Sequence, residues 1–159
     1  IPHLIFIILI SVFVGRGVKG IIIGVALTHW VSLARIIRNE VMVVGNEQYV
    51  LMSRKFGKGR WYIFKNHMIP IVLPQYVIGL VLLFPHAIIH EASVTFLGFG
   101  ISPETPAIGI ILSESMKYLV SGMWHLALFP GLSLVILVLL INKLGEYLSL
   151  ILNPYSARE

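Results

Sequence analysis

Apolar residues in this chain come in long unbroken runs rather than alternating with polar ones: a short run over 1–14, then longer ones over 20–37, 71–99 and 125–152. A helix needs about 20 apolar residues to cross a hydrocarbon core about 30 Å thick. The three longer runs therefore predict membrane-spanning helices, and 1–14 predicts a fourth whose beginning is cut off or which packs as a shorter element. Between the first two runs, Gly15, Arg16, Gly17 and Lys19 predict a tight polar turn. Pro85 and Pro130 fall inside later runs, where a missing backbone donor kinks a helix and neighbours or water satisfy the freed carbonyl.

Two polar intervals separate the runs. In the first, 35–65, the order is helix over 49–57, a stop at Gly57, and a second helical stretch over 60–65 that ends at Ile69-Pro70. In the second, 102–122, Pro103 and Pro106 precede Ile108, Ile111, Leu112, Ser115 and Leu119. That spacing predicts a short amphipathic helix on the membrane surface or over a pore mouth.

Composition changes the picture only by excluding alternatives. Of 159 residues, 57% are hydrophobic and 12% charged, which is too apolar for a soluble domain of this size. The net charge of +5 is not a nucleic-acid signal, since no basic patch is interleaved with stacking aromatics on a polar surface. Seven of the twelve Lys and Arg lie within 35–65 (Arg35, Arg38, Arg54, Lys55, Lys58, Arg60, Lys65), which places that interval in the cytoplasm by the positive-inside bias. The 15–19 turn and 102–122 then lie outside, and the tail 153–159 returns to the cytoplasm; Arg16 and Lys19 run against the rule. Without cysteine, disulfides and thiolate metal sites are excluded. The opening has no methionine, charged n-region or cleavage site, and reads as a chain whose N-terminal part is missing rather than as a signal peptide.

The cytoplasmic interval sets Tyr49, Phe56, Trp61, Tyr62 and Phe64 among Arg54, Lys55, Lys58, Arg60 and Lys65. Large rigid side chains rimmed by cations suit a protein docking surface. They equally suit an anchor with aromatics among lipid headgroups and cations on anionic lipid.

The residues ARIIRNEV (34–41), Glu47-Gln48-Tyr49-Val50, Ser53-Arg54, Gly57 and His67-Met68-Ile69-Pro70 resemble the cytoplasmic loop of ABC importer permeases of the dipeptide, oligopeptide and nickel group. The stretches 93–119 and 129–154 resemble the segment after that group's fifth span and its last span. The resemblance implies an all-α polytopic fold, the helical bundle of a type I importer transmembrane domain, of which this chain is the C-terminal part of about six spans. It implies a permease domain over 1–159, a coupling loop over 47–70 and an external segment over 102–122. Its coupling residues would be Glu47, Tyr49, Ser53, Arg54, Gly57, Trp61 and Pro70. One departure stands out: Leu51-Met52-Ser53 occupies the place of the motif's Glu-Ala-Ala, and Glu47 lies one helical turn earlier. The implied partners are a second permease subunit, two ATP-binding subunits carrying ATP and magnesium, an extracytoplasmic substrate-binding protein and the bilayer of a prokaryotic inner membrane, with no cofactor on this chain.

Candidate chemistry concentrates where ionisable groups sit in apolar runs. His86, His90 and Glu91 lie in the third run and His29 in the second, and such groups cost about 2.5–3.5 kcal/mol each to place in hydrocarbon. His86 and His90, four apart, share a helix face. Three readings fit them: bonds to carbonyls or a partner helix with Glu91 paired to a cation, the lining of a translocation path by His29, His86, His90 and Glu91, or ligation of nickel, zinc or a similar ion by His86 and His90. His29 completes such a site only if the spans pack with the right rotation. The pattern Leu27-Thr28-His29-Trp30 with His86 and His90 is most similar to nickel-type members of the group.

The expected function is therefore a permease subunit of an ATP-driven importer of peptides or nickel and metal chelates. No Gly-x-x-x-x-Gly-Lys-Ser/Thr phosphate loop occurs, so ATP hydrolysis is expected on other subunits. Two other classes were weighed. An intramembrane His/Glu metalloenzyme has the acid after the second histidine, not in His-Glu-x-x-His order, and a secondary transporter is expected to show inverted repeats and a second ionisable cluster.

Overall fold

A computed structural model describes residues 3–152, so the tail 153–159 and the Pro154 end of the last-span motif lie outside the described residues. Seven α-helices follow in order: α1 His3–Val14, α2 Val18–Gly45, α3 Gln48–Lys55, α4 Arg60–Ile63, α5 Ile69–Phe96, α6 Ile108–Leu119 and α7 His125–Leu152. A π-helical turn, Phe64–Met68, joins α4 to α5 without a break. No strand occurs among the described residues.

Among the described residues, three helices are long and apolar enough to cross a membrane: Val18–Gly45, Arg60–Phe96 and His125–Leu152. The second exceeds what a bilayer needs. At about 1.5 Å per residue it runs about 55 Å, against a hydrocarbon core of about 30 Å, so its polar beginning projects beyond the hydrocarbon.

Several expected boundaries move. α2 does not stop at residue 37 but runs through Arg35, Arg38 and Glu40 to Gly45. Charged residues are good helix formers, and only the Gly45-Asn46 pair supplies a breaker. Lys19, expected in the turn, belongs to the first turn of α2. The stretch expected to end at Ile69-Pro70 continues through both. A proline ring collides with the carbonyl four residues back and removes one helical donor, and the π-helical turn just before it changes which carbonyl would have accepted that bond. α5 also continues through Pro85, and α7 through Pro130.

The chain divides into two compact units. The first comprises 1–30 and 83–143. Its core is Ile7, Ile21 and Val94, with Ile8, Val25, Phe99 and Ile101 packed around it. Here α1 runs against α2 at close range because Gly20 and Gly24 face it. A Cβ on Gly24 would stand 3.1 Å from Ile7 Cγ2, and one on Gly20 would stand 2.9 Å from Ser11 Cα. Small residues four apart allow such backbone approach between apolar helices, where dispersion rather than water drives packing. Fully buried Ser11 donates from Oγ to the Phe99 carbonyl at 2.8 Å, tying α1 to the turn after α5, and Arg16 lies over the Phe99 ring at 5.5 Å.

In the same unit, α6 packs by Gly109 together with part of the expected stripe, Ile108, Leu112 and Ser115. Gly109 and Ser115 are buried, whereas Ile111 and Leu119, assigned to the apolar stripe from spacing, are exposed. The reason is contact at Gly109, where the α6 backbone lies against the Ala92 carbonyl and Thr95 of α5.

The second unit comprises, among the described residues, 31–82 and 144–152. Its core is Val44, Val50 and Ile63, with Met68 and Ile71 against it. These five come from the end of α2, from α3, from α4, from the π-helical turn and from the start of α5. One small cluster thus holds the polar elbow to the helices that carry it.

Candidate functional site

The elbow over 47–70 is built on that cluster. Val50, fully buried, and half-buried Ser53 face α3 inward, and the other residues of the helix are exposed. Glu47 is the N-cap residue of α3 with extended backbone, but its side chain makes no capping bond. Its carboxylate therefore acts on the helix only through the positive N-terminal end of the dipole. At the other end Gly57 has φ +74°, and the amides of Gly57 and Lys58 bond to the carbonyls of Arg54 and Ser53. This pair of bonds is a Schellman closure, which needs a residue in the left-handed region.

Among the expected coupling residues, Tyr49, Arg54, Trp61 and Pro70 are exposed on the elbow, Trp61 by 75%. Ser53 is not offered to a partner in this way. Its hydroxyl is hydrogen-bonded to His67 Nε2 at 3.0 Å, and the His67 ring lies 5.5 Å from Tyr49 and 6.0 Å from Tyr62. His67 thus staples α3 to the π-helical turn. Sequence reasoning quoted His67 within a motif but gave it no role, because its partner is fourteen residues away.

The structure adds surface residues that were not among the expected coupling set. Phe56 is 80% exposed beside the stop. Arg54, Lys58 and Arg60 line a groove of about 560 Å³ floored by Ile63 and Met68. Lys58 Nζ also sits 4.8 Å from the Tyr62 ring centre, and Trp61 stacks near Phe64 at 5.6 Å. The staple makes a checkable prediction. A neutral hydrogen bond is worth about 0.5–1.5 kcal/mol, so His67→Phe is expected to speed tryptic cleavage at Arg54 and Lys55 about two- to tenfold, read by limited proteolysis of membranes.

The second constellation lies in the first unit and brings together four imidazoles. His29 stands 5.1 Å from His90 and 6.5 Å from His86 between ring centres. His3, which the sequence reading passed over, stands 5.3 Å from His29 and 6.5 Å from His90. The packing explains the meeting. His3, Ile7 and Ser11 form one stripe at spacing four on α1, Ile21, Val25 and His29 another on α2, and His86, His90 and Val94 a third on α5. Ile7, Val94 and the Ile21–Val25 pair pack together, so one turn further along each seam the apolar residues give way to histidines. A spacing of four back from buried Ile7 was the available signal for His3.

The neighbours of His29 hold its ring through Nδ1. Its Nδ1 lies 3.2 Å from the Val25 carbonyl and 2.8 Å from Thr28 Oγ1, while Thr28 Oγ1 donates to the Gly24 or Val25 carbonyl at 2.9 or 3.1 Å. In the tautomer that donates from Nδ1 to the Val25 carbonyl, the Nε2 lone pair is left for another partner; in the other, Nδ1 accepts from the Thr28 hydroxyl. His90 Nδ1 is buried with no hydrogen-bond partner, the single such side-chain atom among the described residues.

Glu91 does not join the rings. It accepts a bond of 2.8 Å from Thr95 Oγ1, which in turn accepts the Ile101 amide at 3.1 Å, so the carboxylate anchors the turn that follows α5. Residues 90 and 91 are about 100° apart around a helix. Among the described residues, no three His, Asp or Glu side chains converge closely enough to hold a metal ion by themselves.

Comparison with known proteins agrees with this architecture. Residues 1–156 match the family model described as the binding-protein-dependent transport system inner membrane component. The chain is 31% identical to the dipeptide transport system permease protein DppC of Bacillus subtilis, over 97% of this chain and 48% of the relative. It is 32% identical to the nickel transport system permease protein NikC of Escherichia coli K12, over 91% and 52%. It is 30% identical to the oligopeptide transport system permease protein OppC of Bacillus subtilis, over 97% and 50%. The chain spans about half the length of the curated relatives it matches. With three membrane-length helices, a stapled polar elbow and a match over nearly its whole length, this chain belongs to the family of inner membrane components of binding-protein-dependent transport systems.

Proposed function

We propose that this chain is part of a permease subunit of an ATP-driven importer for peptides or for nickel and metal chelates. In this reading it lines a translocation path with a second permease subunit and receives work from two ATP-binding subunits, which hold ATP and magnesium and carry out the hydrolysis. A substrate-binding protein delivers cargo from outside the inner membrane, and the chain itself is not catalytic. The elbow and the C-terminus face the cytoplasm, as the seven cations within 35–65 favour.

The observation that carries this reading is the elbow's construction. An eight-residue helix is too short to hold its shape alone, yet α3 is closed by Gly57, seated on Val44 and Ile63 and stapled through Ser53 to His67. Force applied to its exposed face therefore reaches α2 and α5 rather than dissipating in a loose loop. A lipid anchor needs no such stiffness. Conformational coupling does, because a partner shifts an equilibrium only through contacts that differ between its two states.

A photocrosslinker placed at Phe56 is expected to capture an ATP-binding subunit in native membranes; capture of lipid alone would sink the docking role. Trp61→Ala is expected to reduce co-purification of that subunit about five- to thirtyfold, the range of about 1–2 kcal/mol for a truncated anchor residue. Unchanged recovery would return the elbow to the lipid-anchor reading.

A further inference from the structure

We propose that His29 and His90, flanked by His3 and His86, bind a borderline divalent metal ion such as Ni²⁺, Cu²⁺ or Zn²⁺ that arrives in chelated form, the ion's remaining positions being filled by its own ligands. The inference deepens the permease reading by naming a cargo class, and rests on that reading for its biological use.

Three observations carry it. The first is spacing: with metal–nitrogen bonds of about 2.0–2.1 Å, two imidazoles sharing one ion have ring centres about 4.5–6.4 Å apart. The His29–His90 and His3–His29 pairs, at 5.1 and 5.3 Å, fall within that range. The second is preparation. A ligating histidine characteristically donates its other ring N–H to a carbonyl, which fixes the ring and raises the basicity of the free nitrogen. His29 Nδ1 lies 3.2 Å from the Val25 carbonyl, and in the tautomer that donates to it Nε2 is left as the ligating atom. The third is the unpartnered, buried His90 Nδ1, a polar atom whose position no protein contact explains.

The ligand count selects the form of the ion. Neutral imidazole suits nickel, copper and zinc rather than magnesium or calcium, but no three protein side chains converge. A bare ion would find too few ligands to give up its water, whereas a chelate with two open neighbouring positions needs two imidazoles. The shortfall also suits passage over storage, since a site that conducts must bind weakly enough to release. His3 offers His29 an alternative partner at 5.3 Å, so an ion can change pairs without leaving the cluster. His3 and His86 are exposed on this unit while His29 and His90 are half-buried, so the cluster is open on one side. Along α2, His29 lies about 16 Å from the first residue of the helix, close to the middle of a hydrocarbon layer of about 30 Å.

The test uses the full, untagged chain in lipid nanodiscs, without ATP or partner subunits, so its result is independent of whether uptake or docking succeeds. The probes are Ni²⁺–nitrilotriacetate, which leaves two neighbouring positions open, and Ni²⁺–EDTA, which leaves none. We expect one equivalent of Ni²⁺–nitrilotriacetate to bind, with nickel-edge X-ray absorption reporting two imidazoles per ion, and at least tenfold weaker binding of Ni²⁺–EDTA. His29→Gln and His90→Gln should each weaken binding tenfold or more, while His125→Gln, outside the cluster, should leave it unchanged. Absence of imidazole scattering in the wild-type sample, equal binding of the two chelates, or retention of binding by the folded His29→Gln/His90→Gln double variant would each overturn the proposal. Because the absorption measurement is made on the wild-type chain, it decides the matter even if a variant fails to fold.

Discussion

Gly57→Val is expected to abolish ATP-driven uptake while leaving the chain inserted in the membrane. Gly57 has φ +74° at the end of α3, a conformation that costs an ordinary L-residue about 1–2 kcal/mol and a β-branched one more. The eight residues of α3 have little else to keep their last turn closed, because the two bonds to the Arg54 and Ser53 carbonyls depend on that backbone turn. With the turn opened, Ser53 moves relative to His67, and the stiff connection from α3 to α5 is lost. A control two residues away separates this from general damage. Gly59 has φ −65° and nothing within 4 Å of an added Cβ, so Gly59→Ala should transport like the wild type. Uptake assayed in cells lacking the native gene, together with quantification of the chain in membranes, checks both variants. Normal uptake by Gly57→Val would remove the elbow's stiffness from the mechanism.

Gly109→Val is expected to have the largest effect on folding. A Cβ there would stand 2.5 Å from the Ala92 carbonyl oxygen and 2.9 Å from Thr95 Cβ. The first of these is backbone and cannot turn aside, so α6 must lift from α5. Overpacking of this kind costs about 1–3 kcal/mol. Here it also disturbs Thr95, which links Glu91 to the Ile101 amide. Loss of that link leaves a carboxylate in an apolar helix without its hydrogen-bond donor, and the damage extends beyond the contact itself. The expected result is a lower melting temperature in detergent and a reduced monodisperse fraction by size-exclusion chromatography. A wild-type melting curve for Gly109→Val would show that α6 is not seated on α5 as described. Gly109→Ala, which adds the same Cβ without the branch, should fall between the two.

These two glycines mark how far the sequence alone reaches. Gly57 was legible as a helix stop because it closes a short segment with apolar and basic faces, a pattern confined to a few neighbouring residues. Gly109 was not, since its role depends on which residue of α5 lies opposite it. Of the apolar stripe read from spacing, Ser115 is buried and Ile108 and Leu112 are half-buried, but Ile111 and Leu119 are exposed, because in a lipid-exposed chain apolar residues occupy both packed and unpacked surfaces. Periodicity separates an inside from an outside only where the outside is water.

The same contrast holds for the two candidate sites. The exposure of Tyr49, Arg54 and Trp61 suits the polar interval that the sequence marks, whereas the bond between Ser53 and His67, fourteen residues apart, is not visible in it. The intramembrane histidines were conspicuous because polar groups are rare in apolar runs. Glu91, equally conspicuous, belongs to a separate network with Thr95.

What the amino-acid sequence determined by itself was the all-helical membrane architecture, the three spans, the polar elbow with its glycine stop and the family, since each follows from local properties: run length, turn chemistry and motif spacing. Only the tertiary structure decided that Gly109 of α6 seats on α5 and that His3, His29, His86 and His90 meet. Those outcomes depend on the rotation and register of one helix against another. Close glycine contacts and a handful of core side chains fix these relations, and no single helix encodes them.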